Sequence, residues 1–205
     1  MKQEINPQNT NRAQAFNHWM GAPMPMATLT KTFDIRNLLK YSRKNNMKFN
    51  SLICWCIGNS ATKIKEFYLL PKNGKLFQYD EIAVSVVVLN KNGGINSCDI
   101  PFSSDLLQFN RDYKESTIKV ATECKSIELD DYMVIGTSNI RQTELDCITN
   151  QYSDKFPNPM VMWGKYNKGW FKISMPISFQ FHHVQMDGGD AALFLDTLQR
   201  TIKSL

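Results

Sequence analysis

Alternation of apolar and polar residues is strongest between Phe171 and Phe181. Phe171, Ile173, Met175, Ile177, Phe179 and Phe181 fall on one parity, and Lys172, Ser174, Ser178 and Gln180 fall on the other. Successive side chains of a strand point to opposite faces, so this spacing predicts one buried face and one polar face. Continued by two residues, the same parity puts His183 with the apolar set and His182 with the polar set. With "PMVMWGKYN" before it and "NKG" as the turn, the segment reads as a hairpin.

Elsewhere the periodicity changes. "TLTKTFDI" alternates as an edge-like strand, and "DIRNLLKYSRKNN" follows as a helix with Asp34 as its N-cap. Leu52, Ile53, Ile57, Ala61 and Ile64 keep helical spacing, which predicts a second helix from Asn50 or Ser51. "EIAVSVVVLNKNGG" is a strand running into an Asn-Gly turn, and "YMVIGTS" a short strand. Between them, "SSDLLQFNRDYKESTIKVATECK" is helical, with Leu106, Leu107, Tyr113, Ile118 and Ala121 as a discontinuous apolar face.

Composition narrows the class. With 205 residues, 42% apolar and 21% charged, the chain fits one globular domain, residues 1–205. The one segment rich in Pro and Met, "MGAPMPMA", is too short to separate domains. The net charge of +5 is spread among acids, and no nucleic-acid-binding signature is present, so a nucleic-acid partner is not expected. The polar start "MKQEINPQNTNR" has the form of neither a signal nor a transit peptide, and no apolar run is long enough to span a bilayer. Five cysteines without a C-x-x-C pair read as reduced, mostly buried thiols in a cytoplasmic protein.

The candidate chemistry lies in "HHVQMDGGD". Adjacent strand residues point apart, so His182 and His183 cannot share a metal ion, and no Cys/His cluster has zinc spacing. No metal site is expected. A histidine at the end of an apolar face stays neutral and can accept a proton near neutral pH, which suits His183 as a general base, although the residue alone reads as well or better as a core histidine bonded to backbone. Asp187 or Asp190 can serve simply as the N-cap of "AALFLDTLQRTI".

"HHVQMDG" fits the signature H-H-x-x-x-D-G and resembles that of the chloramphenicol acetyltransferase family, shared with the catalytic domain of dihydrolipoamide acyltransferases. The lipoyl and linker regions of the latter are missing, which favours the small trimeric type. Further blocks follow in order. "RAQAFNHWM" resembles the family's opening block, and "FDIRNLLKYSRKNNMKFNSLICWCIGNSATKIKEF" its first helix pair. "IPFSSDLLQF" resembles a "PYSSDIDQF"-type block, and "MVMWGKYNKGWFKISMPISFQFHH", with Pro176, the strands before the signature.

The resemblance implies an α+β fold, a two-layer sandwich with a mixed, mostly antiparallel sheet and helices on one face. It implies a homotrimer with sites between subunits and acetyl-CoA as co-substrate, with no permanently bound cofactor. His183 would take the proton of a small acceptor's hydroxyl, and Asp187 would pair with Arg12 to hold the site's shape. Lys165 and Tyr166 match positions near bound CoA, and Trp19 an aromatic lining the acceptor pocket. The chain also departs from the pattern: Gly136 stands where the family has a serine that donates to the oxyanion, leaving Thr137 or Ser138 as possible donors. "MGAPMPMATL" is rich in methionine on the acceptor side, so the acceptor is chloramphenicol or another alcohol or amine. The alternative is a catalytically degenerate member that binds and sequesters a small ligand.

Overall fold

The computed structural model describes residues 1–153 and 155–205. Its elements, in chain order, are β1 (Lys2–Ile5), α1 (Ala13–Trp19), β2 (Met26–Asp34), α2 (Arg36–Lys44), α3 (Phe49–Ala61), β3 (Leu69–Lys72) and β4 (Lys75–Tyr79). These are followed by β5 (Ile82–Leu89), β6 (Ile95–Pro101), α4 (Leu106–Glu123), β7 (Met133–Asn139), β8 (Met160–Trp163), β9 (Asn167–Lys168), β10 (Ile173–His182) and α5 (Gly188–Lys203). The large sheet runs β2-β10-β8-β7-β5-β6, with β9 paired to β10, while β1-β4-β3 make a small separate sheet. Pairs β2/β10, β8/β10 and β5/β6 are antiparallel, whereas β5/β7 and β7/β8 are parallel. The fold is thus α+β with a mixed sheet.

One face of the sheet carries the helices. Phe33, Ile135, Val161, Ile177, Phe179 and Phe181 pack there against Leu52, Ile57, Phe194 and Leu198 in a continuous core. Phe179 joins Phe67, Phe181 and Phe194 at centroid distances of 5.7, 5.4 and 4.6 Å. Rings at such offsets add to the burial of their area. α4 begins where the Asp105 carboxylate accepts the amide protons of Leu107 and Gln108 at 2.8 and 3.3 Å.

Some expectations are corrected here. The polar parity of β10 does not face water: Ser178 and Gln180 are each only 2% exposed, and His182 1%. Their polar groups are satisfied by the chain that crosses them. Ser178 Oγ accepts the Ile148 amide at 2.9 Å, and Gln180 Nε2 donates to the Asn150 carbonyl at 3.1 Å. A buried polar face is tolerated when it is bonded in this way. Phe171 lies beyond the strand and is 89% exposed rather than buried. Ile35, not Asp34, caps α2; Asp34 ends β2, and its carboxylate accepts the Arg36 amide at 3.2 Å. α3 starts slightly early, at Phe49, and ends before Ile64. β1, β3, β4 and β6 have no counterpart in the sequence pattern described above.

Candidate active site

β10 ends at His182, and the chain then turns through His183–Met186 into α5. Arg12, just ahead of α1, reaches this turn and is buried at 3% exposure. Its Nη1 and Nη2 donate to the two Asp187 carboxylate oxygens at 2.7 and 2.9 Å. Nη2 also donates to the His183 carbonyl at 2.7 Å, and Nε to the Val184 carbonyl at 2.9 Å. Those hydrogen bonds from Arg12 hold the Asp187 carboxyl below its ordinary range. The planar guanidinium suits such a fork, which a lysine could not reproduce. Asp187 is the N-cap residue of α5, and its amide donates to the Asp190 carboxylate at 3.1 Å.

His183 is fixed at both ends of its peptide unit, since its amide also donates to the Pro25 carbonyl at 2.8 Å. Its ring stacks on Trp19, centroids 4.9 Å apart and planes 10° from parallel. Phe181 meets it edge-on at 6.3 Å. Nδ1 lies 3.3 Å from Asp187 Oδ1, misaligned for a hydrogen bond and without another partner among the described residues. A carboxylate facing Nδ1 favours the tautomer protonated there, which leaves the Nε2 lone pair free to accept a proton. The side chain is 33% exposed, so the expectation of a buried His183 is corrected.

The buried member is His182. Its Nδ1 accepts the Val184 amide at 3.1 Å, and burial, together with the charge of His183, lowers its pKa to about 4. His182 is therefore neutral at ordinary pH, with the proton on Nε2, and borders a small cleft with Tyr152 and Pro157. The exchange follows from where the strand stops. Parity predicts direction within the strand, but His183 has already left it.

Gly136 lies on the helix-free face, paired with Met160 of β8. A Cβ built on Gly136 would sit 1.9 Å from Met160 Sδ, so only glycine fits beneath that thioether as it lies. Both residues line a cleft of about 560 Å³ with Tyr79, Tyr132, Asn158 and Gln180. The Thr137 hydroxyl turns to the other side, donating to the Ser85 carbonyl at 2.7 Å and lying 3.7 Å from Cys54 Sγ of α3. Ser138 shares the parity of Gly136 and is half-buried. His183 is not among the residues lining this cleft.

Lys165 and Tyr166 occupy a third place, a cleft of about 750 Å³ at the end of β8. Lys48, Phe49, Arg141 and Trp163 line it too, and among the described residues no Asp or Glu does. The fold therefore brings Arg12, Trp19, His183 and Asp187 together, but Thr137 lines the cleft at Gly136 and Lys165/Tyr166 line another, and neither cleft contains His183. Pro25, Lys48, Arg141 and Met160 were not foreseen. Only the β7/β8 register reveals Met160, while a surface lysine or arginine carries no local signal.

Among the described residues no group of His, Cys, Asp and Glu is placed to hold a metal, and no helix is long and apolar enough to cross a membrane. The five cysteines are unpaired, with Cys54, Cys56 and Cys98 buried, Cys124 half-buried and Cys147 exposed.

Comparison with known proteins gives consistent findings. The family described as "Chloramphenicol acetyltransferase" matches residues 3–199. Chloramphenicol acetyltransferase of Clostridium butyricum is 26% identical over 203 residues, covering 95% of this chain and 92% of that one. A solved chloramphenicol acetyltransferase superposes with a TM-score of 0.85 at 21% identity, covering 98% and 100% of the two chains. A probable dihydrolipoamide acetyltransferase of Listeria monocytogenes shares the fold at a TM-score of 0.68 and 11% identity, covering 98% and 94%.

Proposed function

This chain belongs to the chloramphenicol acetyltransferase family, and from that membership we propose that it is a CoA-dependent O-acetyltransferase. Acetyl-CoA is the donor and a small, largely apolar alcohol the acceptor, chloramphenicol being the first to test. The observation that carries this reading is the His183 corner, where a ring stacked on Trp19 and held by its backbone presents one free nitrogen. Nε2 takes the proton of the acceptor hydroxyl as the oxygen attacks the thioester carbonyl. The tetrahedral intermediate then expels the CoA thiolate, which recovers the proton from the imidazolium. An acetyl ester and CoA leave, and no acyl-enzyme forms.

Asp187 and Arg12 act by position. Their fork fixes the carbonyl of His183, and a small displacement of a catalytic base is costly. The cleft of Lys48, Arg141, Lys165 and Tyr166 suits the phosphates of CoA, since it gathers three cations and, among the described residues, no carboxylate. The cleft at Gly136 suits the acceptor, with aromatic and amide side chains on its walls. Because His183 does not line that cleft, a complete site needs the cleft of a second copy, in keeping with a homotrimer whose sites lie between subunits.

A second reading has its own observation. Met160 Sδ occupies the space beside Gly136 where a serine hydroxyl would stand, and the Thr137 hydroxyl is committed to Ser85. A lost oxyanion donor lowers turnover by about 10²–10³. Such a protein would bind and sequester its ligand with little chemistry. Thiol release from acetyl-CoA across a panel of alcohols separates the two readings. Turnover that falls by about 10²–10⁴ in His183→Ala supports the transferase; equal rates in wild type and variant overturn it. Tight binding of chloramphenicol without turnover by any acceptor supports sequestration.

A further inference from the structure

One rung of the large sheet crosses the cleft at Gly136. Gln180 pairs with Met160, Met160 with Gly136, Gly136 with Ser85, and Ser85 with Asp99. All five line the cleft. The middle of the rung, Met160 and Gly136, is apolar, and its β6 end is a carboxylate. Neighbouring strands lie about 4.8 Å apart, so Asp99 stands roughly 10 Å from Gly136. Asp99 is 7% exposed. Its Oδ2 accepts the Leu129 amide at 3.0 Å, and its Oδ1 has no hydrogen-bond partner among the described residues. Among those residues Asp99 also stands in no ion pair. A carboxylate withdrawn from water without a counter-charge is destabilising, and a bound cation removes that penalty.

The surroundings share its sign. Glu128 and Asp130 line the same cleft, and among the described residues neither is in an ion pair. Tyr79, buried in that lining, has its pKa pushed up to about 12, first by burial and then by the charges of Asp130 and Asp131. Two cations oppose them. Lys2 and Lys72 line the cleft from the small sheet, with Lys2 Nζ 4.6 Å over the Phe77 ring. Both lysines are only half-buried, whereas Asp99 is almost dry, and a charge interaction strengthens as water is excluded. Asp99 therefore decides the sign of the preferred ligand.

We propose that the acceptor is an alcohol carrying a protonated amine, its hydroxyl at Gly136 and its ammonium hydrogen-bonded to Asp99 Oδ1, with Asp99 setting this preference. This rests on the reading of the chain as a CoA-dependent transferase whose acceptor occupies this cleft. The hydroxyl proton goes to His183 as before, and the amine keeps its own. The test compares two alcohols of one shape, para-(dimethylaminomethyl)benzyl alcohol and the neutral para-isobutylbenzyl alcohol, with the anionic para-(carboxymethyl)benzyl alcohol. A tertiary amine forms no stable amide, so thiol release from acetyl-CoA reports O-acetylation. Wild type should favour the amine over its isostere about ten- to hundredfold in kcat/KM, the range of one hydrogen bond to a charged group. Asp99→Asn keeps an oxygen for the Leu129 amide, removes the charge, and should bring that ratio near one. Equal rates in wild type, or a ratio that survives Asp99→Asn, overturn the proposal and leave the transferase standing. A preference for the carboxylate gives the cleft to its lysines and also overturns it. Calorimetry of the alcohols without donor covers a protein that does not turn over. There, tighter binding of the amine that is lost in Asp99→Asn supports the cation end and counts against the transferase; no difference between the alcohols overturns both. Unchanged thermal unfolding excludes misfolding of Asp99→Asn, and the wild-type ratio needs no variant.

Discussion

At the turn after β10, Arg12 makes four hydrogen bonds to Asp187, His183 and Val184, and the His183 amide is held from the other side by Pro25. At the Gly136 wall the contrast is complete. There the decisive neighbour is an unbranched thioether lying on bare backbone, with the pair fixed by strand register alone. Directional bonds make the first place intolerant of substitution. Contact through a flexible methionine lets the second be reshaped. The base proposed at His183 would have to be held within narrow limits, whereas the proposed pocket wall would have only to match its occupant.

The strongest test of this contrast removes one side of the fork. Asp187→Asn leaves the Arg12 guanidinium, 4% exposed at its side chain, without its anion. Losing a partner of a buried charge costs about 3–5 kcal/mol, and the half-exposed position of Asp187 places the expected loss at the lower end. Glu4→Gln, which removes the exposed Lys75 partner, should cost at most about 1 kcal/mol. Urea unfolding of both variants makes the comparison, and equal midpoints would refute the idea that the corner is specially anchored.

Acid provides the next largest effect. His182 titrates at about 4 when folded, against an ordinary 6.5. The unfolded chain therefore binds more protons between these values, and stability falls as pH drops through that window. The loss amounts to roughly 3 kcal/mol once pH 4 is reached. Asp187, whose pKa is lowered, adds its own loss only below its ordinary value of 3.8. His182→Gln should flatten the profile between pH 6.5 and 4; an unaltered slope would point to another group.

The smallest effect is expected at the wall. Gly136→Ser forces Met160 aside and should cost about 1–3 kcal/mol by overpacking. Met160→Ala in the same chain should restore most of that stability, so the two changes should be strongly non-additive. If the missing donor limits turnover, the double variant also turns over faster than wild type. Additive stabilities would mean that the two residues do not share the space.

β10 was legible because a strand buried on its helix side must alternate, and Ile177, Phe179 and Phe181 do so. Its other side is polar, as the alternation predicts, yet it is covered. Polar residues such as Ser178 and Gln180 signal water unless another segment supplies their partners, and here Ile148 and Asn150 do so from chain without regular structure. No periodicity announces such a cover. β1, β3 and β4 were missed because short strands mixing Lys, Gln and Pro with apolar residues resemble loops. Arg12, Trp19, His183 and Asp187 could be named from motif order, and the structure brings the four into contact. Met160 could not be named, because its importance depends on which residue of β7 lies beside it.

The fork of Arg12 on Asp187 also bears on how the molecule comes into being. It joins positions 175 residues apart, so it can close only after the chain between them exists. Contacts of such separation form late, after more local pieces have collapsed. During synthesis the N-terminal arginine must wait, hydrated, until the C-terminal helix reaches it. The His183 corner is therefore assembled late, and a chain that stops short of Asp187 lacks it.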